Sequence, residues 1–332
     1  MSKAPSFADA AHGGRHRILV LGASGFIGKA IVKALAGSDW ATPIAASFRG
    51  ALYPDNSIET VRVDARDAEA LKRALTDVDG VVNCITGDGA TIIASAQVIL
   101  DTCCTRSSPP RVVHISTMMV YGTATGVVDE TVRLRGDWDE YSAAKTAVEK
   151  LSRGYPCVVT LRPGIVYGPG SPIWSKHIGQ WLRAHRLGDL GNAGLGICNL
   201  VHIDDVVQAI LQALRLRGIE GNAFNLSLPS PPTWNDYFRR YSAALGTACV
   251  PISSARLTAE IYLMAPPLKL AEIVARMIRL GRPPAPIRPW LLRLCAHPIQ
   301  LDVQKAERVL GMRWTAIDAG LEQSAAWTLA AG

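Results

Sequence analysis

Tyr141 and Lys145 are the residues whose types and spacing most directly suggest chemistry. They stand four residues apart in Tyr141-Ser142-Ala143-Ala144-Lys145, so on a helix they share one face. A nearby ammonium stabilises a phenolate and lowers the tyrosine pKa from about 10 toward neutral pH. Such a phenol can give or take the proton of a secondary alcohol while a hydride leaves or joins the same carbon. Tyr141 is therefore the predicted acid or base, with Lys145 as its partner.

Two hydroxyl residues precede this helix at a sensible distance. Ser116 and Thr117 stand at the end of the apolar segment 111–116, which is typical of a buried strand. A hydroxyl at that place would orient the oxygen of a substrate. Because any helix can carry a Tyr-x-x-x-Lys pair by chance, this second element is what makes the catalytic interpretation specific.

A glycine pattern near the start of the chain predicts a dinucleotide site. The apolar run 17–21 ends in Gly22, and Gly25 and Gly28 follow at intervals of three before an amphipathic helix. Glycines at these places permit a tight turn, close approach of a pyrophosphate and close packing of helix on strand. The helix N-terminus then offers free N–H groups to the anion. The residues predicted to bind are Gly22, Ser24, Gly25, Phe26, Ile27 and Gly28. A glycine turn without a ligand is the alternative.

The segment after the second predicted strand bears on the choice between NAD and NADP. An acidic residue there would bind the ribose 2′-hydroxyl, but this chain has Ser47-Phe48-Arg49-Gly50. Arg49 can pair with a 2′-phosphate, so NADP is favoured over NAD. Asp64, after the third predicted strand, could accept a hydrogen bond from the adenine amino group or cap the following turn.

Alternation of strands and helices predicts an α/β fold, a Rossmann-type doubly wound parallel sheet. The predicted strands cover 17–21, 43–48, 60–64, 80–84, 111–116 and 158–161, and helices include 68–75, 90–102 and 141–153. We expect a flexible tail at 1–16 and a dinucleotide-binding domain at 17–170, to which 199–228 returns. Segments 171–198 and 229–300 are expected to form a smaller, mostly helical substrate-binding cap, and 301–332 closing helices.

Composition limits the class of protein. The chain has 332 residues and a formal net charge of +7, which suits anionic small molecules, but it lacks the aromatic-basic interleaving of nucleic-acid binders. No run of 18 or more uncharged apolar residues predicts a spanning helix, and residues 1–16 lack the apolar run of a signal peptide. The seven cysteines form no C-x-x-C pair. We therefore expect reduced thiols, no metal site and a cytoplasmic protein.

Taken in order, the motifs resemble those of extended short-chain dehydrogenases/reductases, the NAD-dependent epimerase/dehydratase family. Besides the glycines and the Tyr/Lys pair, they are Thr117 with Tyr121-Gly122, the segment 161–170 and the segment 199–205. The resemblance implies a Thr117/Tyr141/Lys145 triad, with Ser116 as a neighbouring hydroxyl that could share the task of Thr117. It places Pro163 near the nicotinamide, and makes Tyr141 and Lys145 cofactor contacts too. Members often pair through helices like 90–102 and 141–153, which implies a homodimer.

The same resemblance leaves the roles of several side chains undecided. Tyr121 could line the substrate cleft or pack against the sheet. His202 is interpreted as structural, and Asp204 as the cap of a helix.

Departures from the family pattern narrow the reaction. Dehydratases carry an Asp-Glu pair after the triad Thr, whereas this chain has Met118 and Met119, which cannot transfer protons. Nucleotide-sugar enzymes usually carry an Arg for the diphosphate just before the Val-His segment, and residues 196–199 contain none. Other basic residues could replace it, namely Lys176, Arg183 and Arg186.

The region 255–297 is basic and amphipathic. It interleaves Leu, Ile, Met and Trp290 with the cations Arg256, Lys269, Arg276, Arg279, Arg282, Arg288 and Arg293. A helical lid over the substrate is favoured over a surface that lies on anionic lipid. The apolar lining of such a lid would suit a partly hydrophobic or lipid-linked substrate.

Three functional hypotheses remain. The favoured one is an NAD(P)-dependent oxidoreductase that interconverts a secondary alcohol and a ketone on a sugar-derived or similar small molecule, with Tyr141 as acid/base. The second is a nucleotide-sugar 4-epimerase with tightly bound cofactor. The third is a non-catalytic, cofactor-sensing binding protein, against which the complete Thr117/Tyr141/Lys145 set argues.

Overall fold

The computed structural model describes residues 14–48, 57–104, 106–261 and 286–330. Its strands are β1 (His16–Leu21), β2 (Ala41–Ser47), β3 (Glu59–Arg62), β4 (Gly80–Asn83), β5 (Arg111–Ile115), β6 (Gly126–Val128), β7 (Val158–Pro163), β8 (Ile165–Tyr167), β9 (Leu200–His202), β10 (Ala223–Leu226) and β11 (Ile299–Leu301). Its α-helices are α1 (Phe26–Ala36), α2 (Ala68–Ala74), α3 (Gly89–Cys104), α4 (Glu140–Ser152), α5 (Ile178–Arg183), α6 (Ile203–Arg215), α7 (Trp234–Ala244), α8 (Ser254–Ala259), α9 (Pro289–Cys295), α10 (Gln304–Leu310) and α11 (Ile317–Ala330).

Seven strands form one parallel sheet in the order β10-β7-β5-β4-β1-β2-β3. The chain runs outward from β1 to β3, then crosses to β4 on the other side of β1. In open α/β sheets, ligands bind beyond the carboxyl ends of the strands where the order reverses. That place is here the gap between the ends of β1 and β4. The predicted Rossmann-type fold is confirmed.

Helices cover both faces of this sheet. In β1 the side chains alternate, so Ile18 and Val20 join the core under α1 and α6, while Leu19 and Leu21 join the core under α2 and α3. All four are at most 1% exposed, which explains why a strand buried on both faces has a continuous apolar sequence.

A third core lies in the cap and is rich in aromatic residues. It joins α5, α7 and α9 to the start of α11, with Trp234, Tyr237, Phe238 and Tyr241 of α7 fully buried. Two short parallel ladders, β6–β11 and β8–β9, connect this region to the rest of the chain. Three-residue strands of this kind have too little sequence pattern to be predicted, and we did not expect β6, β8 or β11. Residues 262–285, with much of the predicted basic surface, lie outside the described residues.

Two expectations about individual residues differ from the structure. Cys157 is disulfide-bonded, so the expectation that all seven thiols are reduced is wrong, although Cys84, Cys103, Cys198, Cys249 and Cys295 are free. The N-terminal cap of α6 is His202 rather than Asp204. The fully buried His202 ring accepts from the Asp204 N–H over 3.4 Å, whereas the Asp204 side chain is 75% exposed.

The described ranges contain no helix that is long and apolar enough to cross a membrane.

Candidate active site

The turn between β1 and α1 requires glycine at two places. Gly22 has φ +78°, and a Cβ there would lie 2.8 Å from the Cys84 carbonyl oxygen at the end of β4. A Cβ on Gly28 would lie 2.2 Å from the Gly22 carbonyl oxygen, because the first turn of α1 packs directly on the glycine turn. Gly25 is less crowded, with 3.3 Å to the same oxygen.

The N-terminus of α1 is suited to bind an anion. Gly25 is the N-cap and provides no side-chain hydrogen bond, and the first turn holds no acidic residue. The N–H groups of the first turn therefore keep their hydrogen-bonding capacity, and the helix dipole favours negative charge. Gly25, Phe26, Ile27 and Gly28 all line a cavity of about 570 Å³.

Two cavities meet at this turn. The larger one contains the predicted catalytic residues, and a second one of about 330 Å³ lies over the ends of β2 and β3. Gly25, Cys84 and Thr86 line both cavities. A ligand with an anionic centre and two ends fits this arrangement, its pyrophosphate at α1 and one end in each cavity. The residues present thus suit a dinucleotide.

The smaller cavity contains Ser24, Ser47 and Asp64, all at carboxyl ends of strands. Ser24 Oγ and Ser47 Oγ are 3.4 Å apart. The Asp64 carboxylate accepts from Arg66 Nη2 over 2.7 Å and from the Arg66 backbone N–H over 3.0 Å, and this pairing lowers the Asp64 pKa. Asp64 thus caps the turn that follows it, one of its two expected roles. Arg49, the predicted partner of a 2′-phosphate, lies outside the described residues.

Thr117 and Tyr141 come together in the larger cavity. Thr117 follows β5 and caps the 3₁₀ turn Met118–Tyr121, its Oγ accepting from the Met119 N–H over 3.2 Å. Asp139 caps α4 and thereby places Tyr141 in the first turn of that helix. Burial and the charge of Asp139 raise the pKa of Tyr141 to about 12, opposed by a hydrogen bond with Thr117.

Lys145 lies beneath this pair and is 2% exposed. Its Nζ donates to the Ile115 carbonyl over 2.8 Å and to the Ile85 carbonyl over 3.3 Å. Burial lowers its pKa to about 8, while Cys84 and Glu149 act to raise it. The predicted lowering of the Tyr141 pKa is wrong, because the pKa is raised instead. Burial dominates at Tyr141, and the ammonium lies 5.9 Å from the centre of the ring and faces the two carbonyls.

Ser116 does not share the role of Thr117. Its hydroxyl donates to the carboxylate of Glu149, which also accepts from Arg162 Nη2 over 2.6 Å and Nε over 3.0 Å. All three residues are at most 5% exposed. Ser116 and Thr117 both line the larger cavity, but the hydroxyl hydrogen of Ser116 is already donated to Glu149. Ser116 is therefore a positioning residue that links β5 to α4 and β7.

Tyr121 packs and does not line the cleft. It is fully buried, donates to Asn225 Oδ1 over 2.7 Å and accepts from Arg162 Nη1 over 2.9 Å. Pro163, by contrast, lies at the end of β7 and lines the larger cavity as expected.

The basic residues expected to replace the missing diphosphate Arg do not reach the cavity. Arg186 is paired with Glu260, and Lys176 and Arg183 are not among the described lining residues. The lining instead includes Trp138, Trp174 and Trp290, which come from three separate segments. Sequence reasoning missed the first two, since nothing in their spacing indicates that they converge.

A comparison with known families settles the class of the chain. Residues 18–227 match the model of the "NAD dependent epimerase/dehydratase family". The chain belongs to this family. It is an enzyme of the extended short-chain dehydrogenase/reductase type and depends on NAD(P), as the glycine turn and the Tyr/Lys pair predicted.

Individual relatives differ in their reactions. The chain is similar to 2'-dehydrokanamycin reductase of Streptomyces kanamyceticus, with 28% identity over 250 residues that cover 71% of this chain and 69% of the relative. It shares its fold with a UDP-glucuronic acid 4-epimerase from Bacillus cereus in complex with UDP-glucuronic acid and NAD (TM-score 0.70, 21% identity, 95% and 100% of the two chains). A dTDP-glucose 4,6-dehydratase from Bacillus anthracis in complex with NAD has the same fold (TM-score 0.72, 17% identity, 95% and 97%).

Proposed function

We propose that this enzyme reduces a ketone to a secondary alcohol with net oxidation of a reduced nicotinamide dinucleotide, and that it catalyses the reverse reaction with net reduction of the oxidised dinucleotide. The observation that carries the proposal is the pairing of the Tyr141 hydroxyl with Thr117 in the cavity onto which the first turn of α1 opens. In the proposed reaction, this hydroxyl is the proton donor for a carbonyl that enters the cavity.

The residues of the chain have distinct tasks in this reaction. The bound cofactor supplies the hydride for the carbonyl carbon. Tyr141 gives its hydroxyl proton to the carbonyl oxygen, and a raised pKa keeps that proton in place before reaction. Thr117 orients the same oxygen with the hydroxyl hydrogen that it otherwise donates to Tyr141, since its Oγ accepts from the Met119 N–H. The Lys145 cation stabilises the phenolate that remains.

Two observations favour net reduction over epimerisation. Among the described residues that line the larger cavity, Lys145 is the one cation, and its ammonium is held by two carbonyls. A nucleoside diphosphate therefore finds no evident partner there. The relative with 28% identity is, moreover, named a reductase, 2'-dehydrokanamycin reductase. A dehydratase is disfavoured, because Met118 and Met119 line the cavity where acid and base side chains would be needed.

NADP is the proposed cofactor for two reasons. No acidic residue occurs from Ser47 to Gly50, and Arg49 can be the partner of a 2′-phosphate. Affinities for NADP and NAD in wild type and Arg49→Ala test this choice. The wild type should prefer NADP and the variant should lose that preference. An equal preference in both proteins would exclude the role of Arg49.

The proposed reaction is tested by its stoichiometry. Purified protein is incubated with NADPH and a panel of cyclic ketones, and separately with UDP-glucose. A reductase forms one alcohol for each cofactor oxidised. Interconversion of UDP-sugars with no net loss of cofactor would contradict the proposal and support the 4-epimerase.

A further inference from the structure

Three tryptophans form an apolar wall in the cavity that contains Tyr141. We propose that the substrate is an uncharged cyclic ketone with an apolar face, which stacks on this wall, Trp138, Trp174 and Trp290. The inference rests on the proposed function, which it deepens by giving the substrate a chemical class.

Trp174 and Trp290 form a continuous, supported surface. Their rings lie 5.7 Å apart at 77°, an edge-to-face arrangement, and Trp174 also lies 5.7 Å from the fully buried Trp234 of α7. The hydroxyl of Tyr237 donates to the backbone carbonyl of Trp174. Because these contacts already hold the rings in place, the tryptophan side chains lose little additional conformational entropy when a ligand stacks on them.

Trp138 is fixed from the side of the cap. The guanidinium of Arg293 lies 3.9 Å from the centre of its ring and donates to its carbonyl over 3.2 Å. The ring of His297 packs against it at 4.8 Å. Asp139, the next residue, caps α4, so the same segment holds both the apolar wall and the start of the catalytic helix.

The charges around the cavity explain why the ligand is uncharged. Among the described lining residues, Asp139 and Lys145 are the charged ones. The Asp139 carboxylate accepts from the Ser142 N–H over 2.8 Å, and the Lys145 ammonium donates to two carbonyls. Both charges already have partners within the protein, the Asp139 carboxylate at the N-terminus of α4 and the Lys145 ammonium at two carbonyls. An ionic substrate would have to displace one of these arrangements, and burying an ion without a partner is strongly unfavourable. Met118, Met119 and Leu294 add further apolar surface.

The volume of the cavity favours a compact ligand. The cavity of about 570 Å³ begins at the N-terminus of α1, so the nicotinamide end of the cofactor takes part of it. What remains suits a ring system of one or two fused rings better than a nucleotide sugar.

The test measures binding, which separates it from turnover. Protein saturated with NADP⁺ is titrated with cyclohexanone, with the bicyclic ketone decalone and with UDP-glucose, by calorimetry. Oxidised cofactor cannot reduce a ketone, so affinity is read without reaction. Each buried methylene should contribute about fourfold, so decalone should bind roughly tenfold or more tightly than cyclohexanone. UDP-glucose should bind more weakly than decalone.

Matched variants assign the selectivity to the wall. Trp290→Ala should reduce the ratio of the two ketone affinities several-fold, and Trp290→Phe should restore most of it. Trp314→Ala is the control, because Trp314 packs on the sheet core and donates to Glu307, outside the cavity. An unchanged ratio in Trp290→Ala, no preference for decalone in wild type, or tighter binding of UDP-glucose would each overturn the inference. Preference for decalone without any ketone turnover would leave the apolar selectivity of the tryptophans standing and would refute the proposed reductase.

Discussion

The ammonium of Lys145 donates to the backbone carbonyl of Ile115 over 2.8 Å, and so fixes a cation beneath the residue pair that follows β5. The same Nζ reaches the Ile85 carbonyl beyond the end of β4. Lys145 therefore joins the ends of two adjacent strands, β4 and β5, next to the point where the sheet order reverses. Its charge state, not a direct contact with the Tyr141 hydroxyl, is what we expect to govern the proton donor.

The pH dependence of ketone reduction should follow Lys145. Burial lowers its pKa to about 8, so the cation is present below that pH and is lost above it. Tyr141 keeps its proton throughout this range, because its pKa is raised to about 12. The value of kcat/KM should be constant below about pH 8 and fall above it as the phenolate loses its stabilising cation. A profile that stays flat up to pH 10, near the ordinary pKa of a free lysine, would exclude this role.

Replacement of the two adjacent hydroxyls should have different effects. Thr117→Val should lower kcat/KM about a hundredfold, as expected for loss of one hydrogen-bond donor to a reacting oxygen. Ser116→Ala should lower the free energy of unfolding by about 1.5–3 kcal/mol, because it removes a buried hydrogen bond to the charged Glu149, and should leave kcat/KM nearly unchanged. Steady-state kinetics and denaturant unfolding of both variants test these two expectations. A large kinetic effect of Ser116→Ala would contradict the assignment.

Gly28→Ala should disrupt the cofactor site. Its Cβ would lie 2.2 Å from the Gly22 carbonyl, so α1 must move away from the turn that presents its N-terminal N–H groups. We expect cofactor affinity to fall roughly tenfold or more, and unfolding free energy by about 1–3 kcal/mol.

Gly37→Ala is the matched control at the other end of α1. Gly37 has φ −82°, and a Cβ there would lie 3.7 Å from the Lys33 carbonyl, an ordinary contact. Stability should change by less than about 1 kcal/mol and cofactor affinity should not change. Equal losses of affinity in the two variants would show that the effect is not local to the glycine turn.

Glu149→Gln should destabilise the protein strongly. Glu149 and Arg162 are both nearly fully buried, and loss of the carboxylate leaves the guanidinium charge without its partner. We expect a loss of about 3–5 kcal/mol in unfolding free energy. Glu59→Gln breaks the exposed pair with Arg17, where less than about 1 kcal/mol is expected. Denaturant titrations that give similar losses for both variants would contradict the structural role of the buried pair.

Local chemistry explains which parts of the site the sequence could predict. Gly22 and Gly28 are required by a turn of seven residues, and Tyr141 and Lys145 share a helix face, so short-range spacing identifies all four. The direction in which a side chain points cannot be predicted from such spacing. The commitment of Ser116 to Glu149 and of Tyr121 to Asn225 depends on contacts between residues 33 and 104 positions apart, which no local pattern encodes.

The substrate-binding end of the site was the part least predictable from the sequence. Trp138, Trp174 and Trp290 come from segments without a shared motif, and they line one cavity only because the segment Pro172–His177 and α9 pack into the same core as Trp138. The long buried strands of the main sheet could be predicted from their continuous apolar runs. Strands β6 and β11 could not, because each forms only by pairing with the other.

The most direct test of the reductase concerns Tyr141→Phe. With a ketone that the wild type turns over, the rate of NADPH consumption is measured for both proteins, along with their affinities for the cofactor. Tyr141→Phe keeps the ring and loses the transferable proton, so kcat should fall about a hundredfold to ten-thousandfold while cofactor affinity stays the same. A variant that consumes NADPH as fast as the wild type would contradict the claim that Tyr141 protonates the carbonyl oxygen.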